Sequence, residues 1–359
     1  MFRSNIPPQH LPDGWRPAQL SEIATVHGGG RLKLNKSHYA EAGARAYSAA
    51  GPDGFVEQVE GEAPTIVLSS IGARCGKSFL TDGPWTTLAN TQVITPRPAL
   101  ASAAFLHAIL DDEDYWNRSG SAQPFIKPSD VKGAWVTLPP LDEQRRIAQV
   151  LRSMDEAISS AKSAHSKAEA VLSQSREVAT GLSMEPPDWE RRPLLDFFQL
   201  QRGHDLPVQD RKGGDVPVIA SNGTVGFHNV SAATRPAVVT GRSGTIGKVN
   251  YFDGPCWPLN TTLYVKNFKG SCPRYVYHFL SAFPLADYAT GTGVPTLNRN
   301  DVHVVEVPWP EVAEQRSIAA ALDAIEETVR VAEREVLALI ALKSSVADDL
   351  LTGRVRVPA

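Results

Sequence analysis

Cysteine is scarce in this chain: three in 359 residues, Cys75, Cys256 and Cys272, with no Cys-x-x-Cys pair among them. A sparse, odd set does not build a disulfide framework, and it fits a reducing compartment. Long hydrophobic runs are missing as well. No stretch approaches the roughly 18 apolar residues of a membrane-crossing helix, and the opening residues carry no signal-peptide pattern. Membrane and secreted classes are set aside, and a cytoplasmic protein is expected. Charge of one sign is also lacking. Lys plus Arg number 36 and Asp plus Glu 39, for a net charge of −3. That balance weighs against a protein that holds a polyanion by excess positive charge alone. It leaves room for one that gathers its cations on a single face. The nine histidines show no metal-ligand spacing with cysteine or with one another, so no metal is expected. No Ser/His/Asp arrangement can be argued from the order of residues.

What is present is said twice. Leu138-Pro139-Pro140-Leu141-Asp142-Glu143-Gln144-Arg145-Arg146-Ile147 returns about 170 residues later as Trp309-Pro310-Glu311-Val312-Ala313-Glu314-Gln315-Arg316-Ser317-Ile318. Other landmarks keep the same offset. Pro64–Leu68 matches Pro236–Thr240, and Gly76-Lys77 matches Gly247-Lys248. Asp82-Gly83-Pro84-Trp85 matches Asp253-Gly254-Pro255-Cys256-Trp257, and Thr180-Gly181 matches Thr352-Gly353. Solenoid repeats run to roughly 20–50 residues, so this period means two similar domains.

Each repeat has two parts. The first mixes short β-prone runs (Thr65–Leu68, Thr91–Thr95, Ala237–Thr240, Leu263–Lys266) with helical stretches (Ala101–Leu110, Pro273–Phe283), which predicts an α+β domain. The second is a long helix. Asp142 is expected to cap the first one. Its apolar seam runs through Ile147, Leu151, Met154, Ile158 and Leu172, and the second through Ile318, Leu322, Ile325, Val329, Val336 and Leu339. Alternating steps of four and three over several heptads are a coiled-coil signature, interrupted here by His165, Ser175 and Lys343. The expected boundaries are 1–140 and 185–312 for the globular domains, with helices over 141–184 and 313–359.

A helix of roughly 35 residues is about 50 Å long at ~1.5 Å per residue. The second helix has nothing to join and must bury its seam. Running back along the first makes an antiparallel pair with a pseudo-two-fold axis and a globular domain at each end. The alternative is that each helix packs on its own domain or on another subunit. Two related domains held apart suit reading two places on one duplex, where half-sites lie about 34–36 Å apart.

The phrase Pro-Pro-Leu-x-Glu-Gln-x-x-Ile before a long helix, given twice, resembles the specificity subunit of Type I restriction–modification systems. The tail Leu350-Leu351-Thr352-Gly353-Arg354-Val355, the passage from Thr180-Gly181 to Pro187-Asp188-Trp189, and the opening Leu11-Pro12-Asp13-Gly14-Trp15 are similar to that family too. The likeness covers essentially the whole chain. It departs from the pattern in the second phrase, where Pro310-Glu311-Val312-Ala313 is degenerate while Glu314, Gln315 and Ile318 remain. The resemblance implies two target-recognition domains, each reading half of a split DNA sequence. It implies that the helices are a ruler and a dock for two methyltransferase subunits. Those subunits would carry S-adenosylmethionine and methylate adenine on each strand. Two motor–nuclease subunits would add ATP- and Mg-dependent restriction. The specificity subunit itself would hold no cofactor and perform no chemistry. A specificity subunit of a methylation-only system is a variant of the same reading.

The residues agree with that division of labour. Gly72-Ala73-Arg74-Cys75-Gly76-Lys77-Ser78 resembles a P-loop, yet it has three residues between its glycines where four are needed. Its counterpart Gly244-Thr245-Ile246-Gly247-Lys248-Val249 lacks the final Ser/Thr. Glu185-Pro186-Pro187-Asp188 resembles an amino-methyltransferase loop only faintly and reads as a linker. His107 and His278, within helical stretches, read as structural. Base readout needs Arg, Lys, Asn, Gln, Ser or Thr on exposed loops. The first domain offers Arg31, Lys33, Lys36, Arg74, Lys77, Arg118, Ser121, Gln123 and Lys127. The second offers Arg202, His204, Asn222, Arg242, Ser243, Lys248, Thr292, Asn298 and Arg299. For any one of them a solvated surface charge is the competing reading. Two rival functions stand beside the DNA reader: a coiled-coil scaffold without DNA binding, and a nucleotide-dependent enzyme, which the broken P-loop argues against.

Overall fold

Duplication in the sequence becomes duplication in strand order. The computed structural model describes residues 4–6, 11–120, 122–183, 188–233, 236–291 and 293–357. The chain divides into unit 1 (Met1–Ser160 with Val336–Ala359) and unit 2 (Ala161–Glu335). In unit 1 a four-stranded antiparallel sheet runs in the order Ala24–Gly28, Thr91–Pro96, Ile66–Ser69, Ser78–Leu80. A three-stranded sheet orders Gly51–Val56, Ala44–Ser48 and Trp85–Thr87, the last pair parallel. A ribbon pairs Arg16–Gln19 with Trp135–Leu138. Unit 2 repeats all three. Its larger sheet orders Gln199–Arg202, Thr262–Asn267, Ala237–Gly241, Val249–Phe252. Its smaller sheet orders Gly223–His228, Val216–Ala220, Trp257–Pro258, again with a parallel last pair. Its ribbon is Glu190–Pro193 with Glu306–Trp309.

Burial explains why the central strands read as continuous apolar runs. Ile66, Val67 and Leu68 are fully buried, as are Val238 and Val239 to within 1%. Both faces of these strands are covered, so the usual alternation disappears. A helix packs against each larger sheet, Ala103–Leu110 in unit 1 and Pro273–Ala282 in unit 2. The α+β class is thus present in both units, and the observed strands start or end within a residue or two of the expected runs.

The two long helices span Leu141–Ala179 and Val312–Thr352, 39 and 41 residues. Asp142 does not cap the first one: the helix already begins at Leu141, because the Pro139-Pro140 pair ends the strand beside it. Both helices stop at a glycine in the left-handed region, Gly181 (φ 72°) and Gly353 (φ 73°). Leu182 N–H closes the first end onto the Glu177 carbonyl at 3.0 Å, and Val355 N–H the second onto Asp349 at 3.2 Å. Within each unit the helices run antiparallel. In unit 1 Asp155 pairs with Lys343, while Glu143 pairs with Arg356 beyond the helix end. In unit 2 Arg176 meets Glu326 at 2.9 Å. Ile147, Leu151, Ile158, Leu172 and Leu322 are buried, and Met154, Ile318, Ile325, Val329, Val336 and Leu339 half-buried. His165, Ser175 and Lys343 are half-buried on the same stripe.

The repeated Glu-Gln phrase anchors each domain to its helix. Gln144 accepts from Ser102 N–H at 2.9 Å and donates to the Pro139 carbonyl at 2.8 Å. Gln315 accepts from Cys272 N–H at 2.7 Å and donates to the Pro310 carbonyl at 2.9 Å. Ser102 and Cys272 are the cap positions of the two domain helices. One glutamine per repeat therefore satisfies a domain-helix N-terminus and the carbonyl two residues before its own long helix.

The glutamines align the two units residue by residue, and the alignment exposes a difference. In unit 2 Arg274 and His278 on the domain helix meet Asp323 at 2.9 and 2.7 Å. Arg176 bonds His278 Nδ1 at 3.1 Å and Tyr277 at 3.2 Å, and Tyr277 donates to Glu326. At the positions matching Arg274, His278 and Arg176, unit 1 has Ala104, Ala108 and Asp348. Small side chains leave a groove there of about 790 Å³, lined by Ala108, Asp112, Tyr115, Ala341, Ser345 and Asp348 among others.

Candidate nucleic-acid interface

Antiparallel pairing sends one end of each sheet to the same place. In unit 1 the strand ends at Gly28 and Ser69 and the starts at Ser78 and Thr91 share an edge. The turn of the smaller sheet, residues 48–51, lies there too. Arg74, on the glycine-rich loop after Ser69, donates to the Ala50 carbonyl at 2.9 Å. Gly72 N–H donates to Pro124 at 3.0 Å, which brings in the loop that carries Gln123. Gly30, whose left-handed φ of 70° lets it lie close to Ala89, places Arg31 at the same edge. Arg31, Lys33, Arg74 and Gln123 are all exposed.

Unit 2 repeats the arrangement with other side chains. Lys248 Nζ reaches the Asn222 carbonyl at 3.3 Å, the counterpart of the Arg74 contact. Arg242 and Ser243 directly follow the central strand, and a bridge joins Ser243 to Thr296. Asn298 caps the short helix that follows, bonding Asn300 N–H at 3.1 Å, and Arg299 is its first residue. His204 leans on Tyr264, with Nε2 3.2 Å from the hydroxyl, and meets Trp257 edge-on. The structure thus brings His204, Asn222, Arg242, Ser243 and Lys248 to one sheet end.

Other expected residues are engaged elsewhere. Lys77 pairs with Asp111 at 2.9 Å, and Ser78 N–H donates to the same carboxylate at 3.1 Å. That acid takes up both the Lys77 ammonium and the Ser78 N–H, and a strand rather than a helix follows the loop. The P-loop likeness ends there. Arg118 sits on Glu113 at 3.3 Å, Lys36 on Asp53 at 3.1 Å, and Arg202 on Asp205 at 3.3 Å. Lys127 precedes the helix Pro128–Lys132 and is exposed. Ser121 and Thr292 lie outside the described residues, as does the Glu185–Asp188 linker apart from Asp188.

One cluster that the sequence did not announce is built from pairs distant along the chain. His278, Asp323 and Glu326 place ligand-type atoms within 4.8 Å of one another. Arg176, Arg274 and Arg330 already occupy the carboxylates, so guanidinium stands where a metal ion would have to sit. Burial pushes the His278 imidazole down to about 4, against the pull of Asp323. The hydrogen bonds agree: Nδ1 accepts from Arg176, so the ring proton is on Nε2 and points at Asp323. Burial alone would raise Asp323 and Glu326, but their hydrogen bonds outweigh it and hold both below the usual carboxylate range. In unit 1 the Arg356 fork holds Glu143 low in the same way, with Trp15 Nε1 at 3.2 Å from the carboxylate. Among the described residues no helix is long and apolar enough to cross a membrane.

Residues 12–169 and 186–340 each match the sequence model of the Type I restriction modification DNA specificity domain. The chain belongs to this family. A Type I specificity protein with two copies of the domain is what the internal repeat amounts to. Among relatives, the chain is 24% identical over 268 residues to a protein named as the type I restriction enzyme MjaX specificity subunit of Methanocaldococcus jannaschii. That match spans 66% of this chain and 62% of the relative's length. The fold is similar to that of the Type I restriction-modification S subunit from M. genitalium, with a TM-score of 0.66 at 15% identity, covering 96% and 98% of the two chains. It is also similar to a chain solved in work on complex assembly and conformational transition of the type I R-M system. There the TM-score is 0.60 at 16% identity, covering 97% and 100%.

Proposed function

We propose that this chain is the DNA sequence-specificity subunit of a Type I restriction–modification complex. Each unit reads one half of a bipartite target through the sheet end that gathers its glycine-rich loop, its hairpin turn and their cations. The observation that carries this reading is the repeated geometry of Arg74 on Ala50 and Lys248 on Asn222, two cations on matching loops at matching edges. Loops of this kind offer backbone N–H groups and cations to phosphate and side chains to base edges.

In this reading residues 1–140 and 185–312 are the target-recognition domains, and 141–184 and 313–359 the spacer helices. Their seam, from Ile147 to Leu172 and Ile318 to Leu339, keeps the helices together as a ruler. Two methyltransferase subunits dock on the helices and carry S-adenosylmethionine; restriction subunits, where present, bring ATP and Mg. The chain itself is non-catalytic and works in the cytoplasm.

The test is to express the chain with its methyltransferase subunit in an unmethylated host and map methylated adenines across the genome. A split motif with one methylated adenine per strand is expected. A continuous motif, or no methylation that depends on this chain, overturns the proposal and favours a scaffold without DNA binding.

A further inference from the structure

The ends of the two central strands are held by the same backbone bonds. Arg242 N–H donates to the Thr261 carbonyl at 2.8 Å, and its own carbonyl accepts from Leu297 N–H at 2.7 Å. Ser70 makes the matching pair, to Asn90 at 3.0 Å and from Ile126 at 3.0 Å. The bridges Ser243–Thr296 and Ile71–Phe125 extend the match by one residue. One mount therefore carries an arginine in unit 2 and a buried serine in unit 1.

Arg242 differs from most arginines of its unit. Arg202, Arg211 and Arg274 are each engaged by a carboxylate or a carbonyl. The half-buried side chain of Arg242 meets no acid, carbonyl or ring among the described residues. Its mount is rigid. A Cβ on the preceding Gly241 would lie 1.7 Å from the Thr245 carbonyl oxygen, so the loop folds tightly over the strand end. Beside it, Leu297 and Thr296 tie in the loop that carries Val294, which is 67% exposed. A guanidinium fork on a rigid mount, with no partner among the described residues, suits a planar two-acceptor edge, and guanine O6/N7 is the base edge of that shape. An exposed aliphatic residue next to it suits base edges, such as a thymine methyl, and has nothing to gain from phosphate.

Building on the proposed function, we infer that Arg242 reads a guanine in the half-site of unit 2. Unit 1 has no guanine-reading group at the equivalent place, because Ser70 is short and buried. The two half-sites then differ at the position each strand end faces.

Methylation maps of the wild-type chain, Arg242→Ala and Arg242→Lys, each with the methyltransferase subunit, decide the matter. Binding to duplexes randomised over the second half-site, at two salt concentrations, supplies a readout where methylation is too weak to map. The wild type is expected to show a fixed guanine in one half-site. Arg242→Ala should relax that one position, leave the other half-site unchanged, and weaken cognate binding by about tenfold to a hundredfold. Arg242→Lys should relax it too, since the charge remains but the fork is lost. Uniform weakening with an unchanged motif, rescued by Arg242→Lys, would mark a phosphate contact and overturn the inference while leaving the proposed function intact. A relaxed position that is not guanine, or an unchanged motif and affinity, would also overturn it. Absence of a split motif in the wild type removes the proposed function, and this inference with it.

Discussion

Gln144 and Gln315 each satisfy groups that helix geometry leaves orphaned. Both side chains are buried, 1% and 2% exposed. Replacing either by Ala strands the cap N–H of a domain helix and a proline carbonyl, at about 2–3 kcal/mol. Urea unfolding of Gln144→Ala and Gln315→Ala should show that loss in each case; a loss below about 0.5 kcal/mol would mean the phrase is held by something else. The repetition of the glutamine was legible in the sequence, but its task was not, because its partners at the domain helix lie 42 to 44 residues away. His278 makes a second residue-scale prediction. Its folded value is about 4 and its unfolded value 6.5, so between them the unfolded chain takes up a proton that the folded one refuses. Stability contributed by the neutral ring is complete above about 6.5, falls as pH drops toward 4, and is then level. The total is on the order of 3 kcal/mol. Asp323 and Glu326 act lower, losing their contribution as pH falls below the ordinary 3.8 and 4.5 through their depressed values. Unfolding measured at pH 7 and pH 5 should therefore differ less for His278→Gln than for the wild type, and an equal difference would contradict the assignment.

At the scale of elements, the long helices were the most legible part of the fold. Their period survives in burial, down to the polar positions His165, Ser175 and Lys343 that share the stripe. Strand positions were also readable, since buried runs such as Ile66–Leu68 are bounded by turn residues. Asp142 was misread because Gln144 N–H already closes on the Pro140 carbonyl at 3.0 Å, so the helix starts directly after the proline pair and Asp142 lies inside its first turn. The contacts of the two domain helices could not be read at all. Pro273–Ala282 is tied by Arg274, Tyr277 and His278 to both long helices of unit 2, whereas Ala103–Leu110 faces a groove on the side where those three contacts would be made. Backbone amides of Ala103–Leu110 should therefore exchange with deuterium faster than those of Pro273–Ala282, by tenfold or more if the network is worth 1.4 kcal/mol or above. Equal protection would show that the network adds nothing to local stability.

For the whole molecule, the repeat was visible because one offset runs through every landmark, and a shared strand order followed from it. The candidate interface was legible in part. Glycine-rich loops pointed to the sheet ends where Arg74, Arg242 and Lys248 lie. Lys77, Arg118, Lys36 and Arg202 were indistinguishable from them in sequence, since the acids that engage them come from three to 34 residues away. The division of the chain has a consequence for how it comes off the ribosome. Unit 2 is one continuous stretch, Ala161–Glu335, while unit 1 is sewn from Met1–Ser160 and Val336–Ala359. The Glu143 carboxylate and the Trp15 indole wait for Arg356, and Leu350 is part of the core beneath them. The portion synthesised first is thus the portion finished last: the Glu143 carboxylate of unit 1 has no Arg356 to pair with until unit 2 has been made, and the closing strap arrives some two hundred residues after the surface it fastens.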